Sequence, residues 1–361
     1  MTSEIDDRED RVVEGTNERY IDEAVPFQYS ITSYGADYPV DSIIKRLKNG
    51  DIYVPYFQRR FVWPFKKASR FIESLLLGLP VPGIFLSRDE DTQKLIIIDG
   101  QQRLQTLLYF YDGIFHNTGQ EFALHELESN YEGATYKSLS EEDRRRLDDS
   151  IIHATIIRQD VPTNDASSIF HIFERLNTGG VQLQPQEIRN ALYHGELNDL
   201  IIELNKFAAW RALFGKESSR FRDRELILRF IALYYDEANY KSPMKGFLNK
   251  FMGDNRHLHD INKEQIQELF FKTSAAIANG IGSNAFRPRR VLIAAIYDSI
   301  MVGIARRLQK GEISDTSQLK ENYIGLLETK EFLDASIEHT TDEINVKTRV
   351  ALATAAFTDV A

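Results

Sequence analysis

Five consecutive residues, Asp99-Gly100-Gln101-Gln102-Arg103, bring together an acid, a glycine, two amides and a guanidinium. That set suits phosphate chemistry. A glycine admits close approach of the backbone, an arginine neutralises phosphate charge, and an acid can hold a divalent cation. An amide can orient an attacking water. In this reading Gly100 and Gln101 offer backbone contacts, Arg103 binds phosphate, Asp99 holds Mg²⁺, and Gln101 or Gln102 orients water. The same residues also suit a plain turn, with Asp99 capping a helix and Arg103 lying along the surface. The amide pair sits between two strongly apolar segments, which favours a site.

Those segments are the elements that must position the turn. Leu95-Ile96-Ile97-Ile98 is a continuous apolar run, as in a strand buried on both faces. Beyond the glycine, Leu104, Leu107, Leu108 and Tyr111 recur at i, i+3, i+4 and i+7, predicting a helix that ends at Asp112-Gly113. The first N–H groups of a helix lack internal partners and carry the positive end of its dipole, so the turn is a cradle for an anion.

Around this centre the pattern predicts a strand at 27–32, a short helix over 40–47 and a helix opened by Pro64. Strands follow at 84–87, 94–98 and 151–157, with a helix from Ser140. The stretch 52–64 is proline- and aromatic-rich and reads as an extended segment. A helix stripe at Ile169, Ile172, Phe173 and Leu176 stops at Asn177-Thr178-Gly179-Gly180, and Pro185 starts another helix that carries Glu187. From residue 196 onward no strand is expected. Helices are expected at 223–238, 262–280, 287–310, 315–327 and 342–357.

Three patterns resemble the N-terminal domain of GmrSD-type modification-dependent restriction endonucleases. They are Pro55-x-Phe57-Gln58-Arg59 ending at Trp63, the string Asp99 to Arg103, and Phe173-x-x-Leu176-Asn177-x-x-Gly180-x-x-Leu183-x-x-x-Glu187-x-x-Asn190. The resemblance implies a ParB/sulfiredoxin-like fold whose corresponding turn binds nucleotide phosphate. The expected class is therefore α+β: an acidic flexible tail over 1–25, a ParB-like nucleotide-binding domain over 26–195, and an all-helical domain over 196–361. Gln58, Arg59, Gly100, Arg103, Asn177 and Gly180 become candidate nucleotide contacts, and Asp99, Gln101, Gln102, Arg103 and Glu187 candidate catalytic residues. Asp99 and Glu187 are the candidate Mg²⁺ ligands. Asn177 equally suits a left-handed helix stop, and Glu187 a favourable charge in a first helical turn.

The net charge of −10 is uneven. Residues 1–25 hold nine acids against three arginines, and 312–346 hold nine acids against two lysines. Residues 58–70 instead carry five bases and no acid, so Arg60, Lys66 and Lys67 are candidate nucleic-acid contacts. In the helical half Arg287, Arg289 and Arg290 are further candidates. Other bases there (Arg220, Arg222, Arg224, Arg306, Arg307, Lys310) suit a solvated face as well. The chain has no cysteine, which excludes disulfides, thiolate metal sites and a cysteine nucleophile. It has no Gly-x-x-x-x-Gly-Lys-Ser/Thr loop, which excludes a P-loop NTPase. The related full-length enzymes carry a separate HNH nuclease domain. Nothing comparable is found among the eight histidines, and His257-x-His259 reads as a solvated loop pair.

The expectation is a cytoplasmic, nucleotide-binding and NTP-hydrolysing module, using an NTP with Mg²⁺, of a DNA-directed restriction or phage-defence system. DNA and a nuclease supplied in trans are the expected partners, with no membrane. Self-association into a homo-oligomer stays open. Two alternatives remain: an Mg²⁺-dependent nuclease or nickase built on the same turn, and a non-catalytic DNA- or protein-binding regulator.

Overall fold

The computed structural model describes residues 12–13, 30–54, 61–89, 92–161, 170–172, 184–288 and 290–361. In chain order its elements are β1 (Val12–Val13), β2 (Ser30–Pro39), α1 (Val40–Asn49), β3 (Ile52–Tyr53), α2 (Phe65–Leu76), β4 (Ile84–Arg88), β5 (Leu95–Asp99), α3 (Gln101–Asp112), β6 (Ile114–Phe115), β7 (Gln120–Glu121), α4 (Glu141–Asp148) and β8 (Ile151–Val161). Helices then dominate: α5 (Pro185–Leu192), α6 (Glu196–Leu204), α7 (Ala208–Phe214), α8 (Arg222–Asp236), α9 (Met244–Asp254) and α10 (Lys263–Gly280). After β9 (Leu292–Ile293) come α11 (Ala294–Leu308), α12 (Thr316–Glu328), α13 (Lys330–Ile337) and α14 (Glu343–Phe357). The class is the α+β arrangement expected: a mixed α/β region followed by a mainly helical one.

Two compact units divide these elements, one built on the sheet and one helical. In the first, a five-stranded mixed sheet has the order β2-β8-β4-β5-β3. The β4 to β8 and β3 to β5 pairings are parallel, whereas β2 to β8 and β4 to β5 are antiparallel. Alternate residues on one face (Ile84, Leu86, Leu95, Ile97, Ile152, Ala154, Ile156) join Ile43 of α1, Ile72 of α2, Leu107 of α3 and Leu147 of α4 in one core. Ile96 and Ile98 are buried too, so the central strand is covered on both faces as its unbroken apolar run predicted.

Helix ends follow the local chemistry. Gly50 and Gly113 close α1 and α3 in the left-handed conformation. Ser140 caps α4 by accepting from the Asp143 N–H at 3.0 Å. In the helical unit α11 is buried nearly all round, the mark of a central helix. Its Gly303 lets α14 approach, since a Cβ there would lie 2.9 Å from the backbone of Ala353. Asp298 of α11, fully buried, binds Arg229 of α8 through two bonds (3.0 and 2.7 Å) and Arg349 of α14 at 3.2 Å.

Three expectations need correction. The strand expected at 27–32 runs on from Ser30 to Pro39, paired along that length with β8, while residues 27–29 lie outside the described ones. Val12–Val13, inside the stretch read as an acidic tail, pairs in parallel with Leu292–Ile293, in a half where no strand was expected. The helix expected over 287–310 begins only at Ala294, because Pro288 and a left-handed Arg290 (φ 67°) hold the preceding residues in a turn. Among the described residues no helix is long and apolar enough to cross a membrane.

Candidate functional site

The turn between β5 and α3 is built by Gly100. Its φ of 102° is a conformation that L side chains rarely adopt. A Cβ there would lie 2.4 Å from Cγ2 and 2.9 Å from Cβ of Ile84 on the neighbouring strand. Only glycine lets the turn lie this close to β4. As N-cap of α3, Gly100 supplies no capping side chain, and the first turn of α3 contains no acid. The positive end of the α3 dipole is therefore left without local compensation from its own first turn.

Arg103 sits one turn in, with its side chain mostly buried, while Asp99 is more open (16 % and 39 % exposed). Nη2 of Arg103 donates to Asp99 Oδ2 at 2.7 Å and to the Gly83 carbonyl at 2.9 Å. These two bonds fix the plane of the guanidinium against the turn. Its Nε is buried with no hydrogen-bond partner among the described residues. Among the same residues no hydrogen bond reaches Asp99 Oδ1.

The two amides divide their work. Gln101 Nε2 donates to Gln105 Oε1 along the helix at 3.4 Å. Gln102 turns away: its Oε1 accepts from the backbone N–H of Val62 (2.8 Å) and of Trp63 (3.1 Å). The carbonyl expected to orient water is thus occupied by the segment leading into α2. Asn117 Nδ2 donates to the Phe61 carbonyl at 2.7 Å, and the Phe61 ring packs against Tyr109 and Phe115 at 5.0 and 5.4 Å. Neither Gly83 nor Asn117 carried a signal in the sequence, since Gly83 acts through its carbonyl and Asn117 lies outside every motif.

Of the remaining candidates, Gln58, Arg59, Arg60, Asn177, Gly180 and Arg289 lie outside the described residues. Glu187 is buried in the first turn of α5, grouped with the helical unit. Its Oε2 accepts from the Gln184 N–H at 2.5 Å and from Arg220 Nη2 at 2.9 Å. That is the capping duty its position after Pro185 allowed. Among the described residues no three His, Asp or Glu side chains gather to hold a metal ion.

Four of the five sheet strands (β3, β4, β5 and β8), the turn and α5 fall in a segment with a known family. Residues 40–194 match the model of the GmrSD restriction endonuclease, N-terminal domain. They form a GmrSD N-terminal domain. No curated protein matches the chain. The Asp99 to Arg103 turn, α2 and the segment at 61–63 all lie inside the GmrSD domain.

Within the GmrSD domain, the exposed Lys66 pairs with Glu126 at 2.5 Å, and Lys67 Nζ lies 4.7 Å from the centroid of the Trp63 ring. In the helical region most candidate bases are internally engaged. Arg287 is half-buried, and both its terminal nitrogens donate to the Leu213 and Phe214 carbonyls at the end of α7. Burial lowers its pKa. Arg287 is therefore a helix-end cap, which argues against the nucleic-acid role expected for it. Arg290 is exposed. Arg224 pairs with Glu217, Arg306 with Glu237, and Arg307 with the Val360 and Gly311 carbonyls. His257 and His259 are exposed, with rings 5.7 Å apart.

Proposed function

We propose that the turn at 99–103 binds the phosphates of a nucleoside triphosphate and that the chain is an NTP-hydrolysing module of a DNA-directed restriction system. The observation that carries this reading is the guanidinium of Arg103, held by Asp99 and the Gly83 carbonyl beside an uncapped helix start behind Gly100. A fixed cation and backbone N–H groups without intrahelical acceptors are what a phosphate group needs.

In this reading the backbone of Gly100 and Gln101 and the Arg103 side chain hold phosphate oxygens, and the Gln101 amide orients water. Asp99 fits a Mg²⁺ ion, because Oδ1 has no protein partner among the described residues and Mg²⁺ is commonly held by one carboxylate plus substrate phosphates. When bound, the ion would neutralise developing phosphate charge. Glu187 is buried and already serves as the cap of α5 and the partner of Arg220. Lys66, Lys67 and Arg290 are the described candidates for DNA phosphate contact, in keeping with the DNA-related context of a restriction family.

The test is phosphate release with each ribonucleoside triphosphate and Mg²⁺, with and without DNA, for wild type, Arg103→Ala and Arg103→Lys. The expected outcome is turnover that Arg103→Ala lowers by at least about tenfold, with partial recovery in Arg103→Lys, which keeps the charge but not the fork. Turnover indifferent to Arg103 would overturn the reading.

A further inference from the structure

Gln102 has two attachments that point in different directions. Its backbone N–H is the second of α3, in the first turn, where no carbonyl of the helix can receive it. That N–H stands next in chain to Gly100 and Gln101, whose backbone is proposed above to hold phosphate. Its side chain holds a segment forty residues back in sequence, with one oxygen accepting from two consecutive backbone N–H groups, Val62 and Trp63. Asn117 and the buried Phe61 ring hold the residue before them. Residues 61–63 thus form a strap pinned directly to the first turn of α3.

This strap leads straight into a helix start with an unusual charge. Pro64 gives α2 no capping side chain, and the first turn of α2 has no acid. Lys66 and Lys67 stand there instead, with Arg70 one turn on, and no acid occurs from Phe61 to Ile72. Lysines at the positive end of a helix dipole are unfavourable, and an acid or a bound anion would be favoured there. Lys66 is partly answered by Glu126, whereas Lys67 lies over the Trp63 ring and Arg70 is exposed. Val62 beside them is 60 % exposed. An exposed row of bases beside an aromatic ring suits the phosphate backbone of DNA.

We propose that Gln102 is a positioning residue that couples the two: a triphosphate on the 99–103 turn, acting through Gln102 on Val62 and Trp63, sets the Lys67 and Arg70 face of α2 for duplex DNA. The proposal rests on the nucleotide reading above. Coupling of binding is reciprocal, so DNA raises triphosphate affinity by the same factor.

The experiment measures binding of a fluorescein-labelled DNA duplex to the full chain by anisotropy, without and with saturating β,γ-imido ATP or GTP and Mg²⁺. It compares wild type with Gln102→Met, which keeps the side-chain length but lacks the oxygen. Gln102→Asn, with a shorter reach, serves if the methionine variant does not fold. Calorimetry of the same analogues on wild type and Arg103→Ala runs in parallel. The expected result is a wild-type DNA affinity about three- to tenfold higher with the analogue, a ratio that falls to about one in either Gln102 variant whatever the separate affinities. A wild-type ratio of one while the analogue binds in an Arg103-dependent way, or a ratio that survives both Gln102 variants, overturns the coupling and leaves the nucleotide reading standing. Absence of Arg103-dependent binding overturns both.

Discussion

At the scale of single residues, the site depends on how little room there is around Gly100. A methyl group there meets Ile84 at 2.4 Å and must also adopt φ 102°. Gly100→Ala is expected to cost about 2–5 kcal/mol, combining strained backbone with overpacking. Ile84→Ala in the same chain leaves the Cβ contact at 2.9 Å and the φ strain and gives up a buried side chain, so it is not expected to restore stability. Urea unfolding followed by circular dichroism checks both, and a Gly100→Ala chain as stable as wild type would contradict the geometry. A second residue-scale prediction concerns Asp148, which accepts from the Tyr111 hydroxyl at 2.5 Å and the Tyr136 hydroxyl at 3.0 Å. Burial first, and then the bond to Asp148, push the Tyr136 hydroxyl up to about 12, and burial with the same carboxylate raises Tyr111 further. Raised folded-state values mean that this contribution is complete below the unfolded tyrosine value of about 10 and is lost as pH rises through about 12. Tyr136→Phe should therefore flatten the fall in stability between those limits, seen as a smaller loss of Tm from neutral to strongly alkaline buffer. An unchanged alkaline slope would count against it.

At the scale of elements, what the sequence made legible was whatever is encoded locally. The three isoleucines before Asp99, the Ser140 cap and the glycine stops of α1 and α3 each have a cause within a few residues, and each stands in the structure as expected. The length of β2 was not readable in this way. Tyr34-Gly35-Ala36-Asp37 has little strand character of its own and is extended because β8 pairs with it. The string Asp99 to Arg103 marked the site by residue type alone, but the division between Gln101 and Gln102 was hidden, because Val62 and Trp63 lie far off in sequence. The charge of α2 gives the prediction at this scale. Lys67→Ala should weaken duplex binding evenly across sequences and reduce the slope of log Kd against log salt by about one, as for the loss of a single phosphate contact. A slope equal to that of wild type would remove Lys67 from the interface.

At the scale of the whole molecule, two units keep separate cores, and charge serves them differently. The GmrSD domain leaves Lys67 and Arg70 exposed on α2, whereas the helical unit turns many of its arginines inward. Sequence alone identified this second unit as helical from its periodicity, but it did not separate solvated arginines from internal ones. Their partners are scattered: Glu217 in the loop before α8, Glu237 just past its end, Asp298 of α11, and helix-end carbonyls. Asp298 shows the consequence. It is the shared carboxylate of two buried guanidiniums, Arg229 and Arg349, and burial lowers the pKa of Arg349. Asp298→Ala leaves both without their common counter-charge and is expected to destabilise the helical unit by about 3–5 kcal/mol. Denaturant unfolding monitored at Trp210, buried in that unit, would show it, and a shift under about 1 kcal/mol would contradict the keystone role.

Arg103, fixed by Asp99 and the Gly83 carbonyl, is the residue proposed to hold triphosphate at the start of α3. The most direct test is calorimetric titration of a non-hydrolysable nucleoside triphosphate with Mg²⁺ into wild type and Arg103→Ala. The expected result is saturable binding in wild type that the alanine variant loses while keeping its helical circular dichroism. Equal binding by both proteins, or none by wild type, would contradict it.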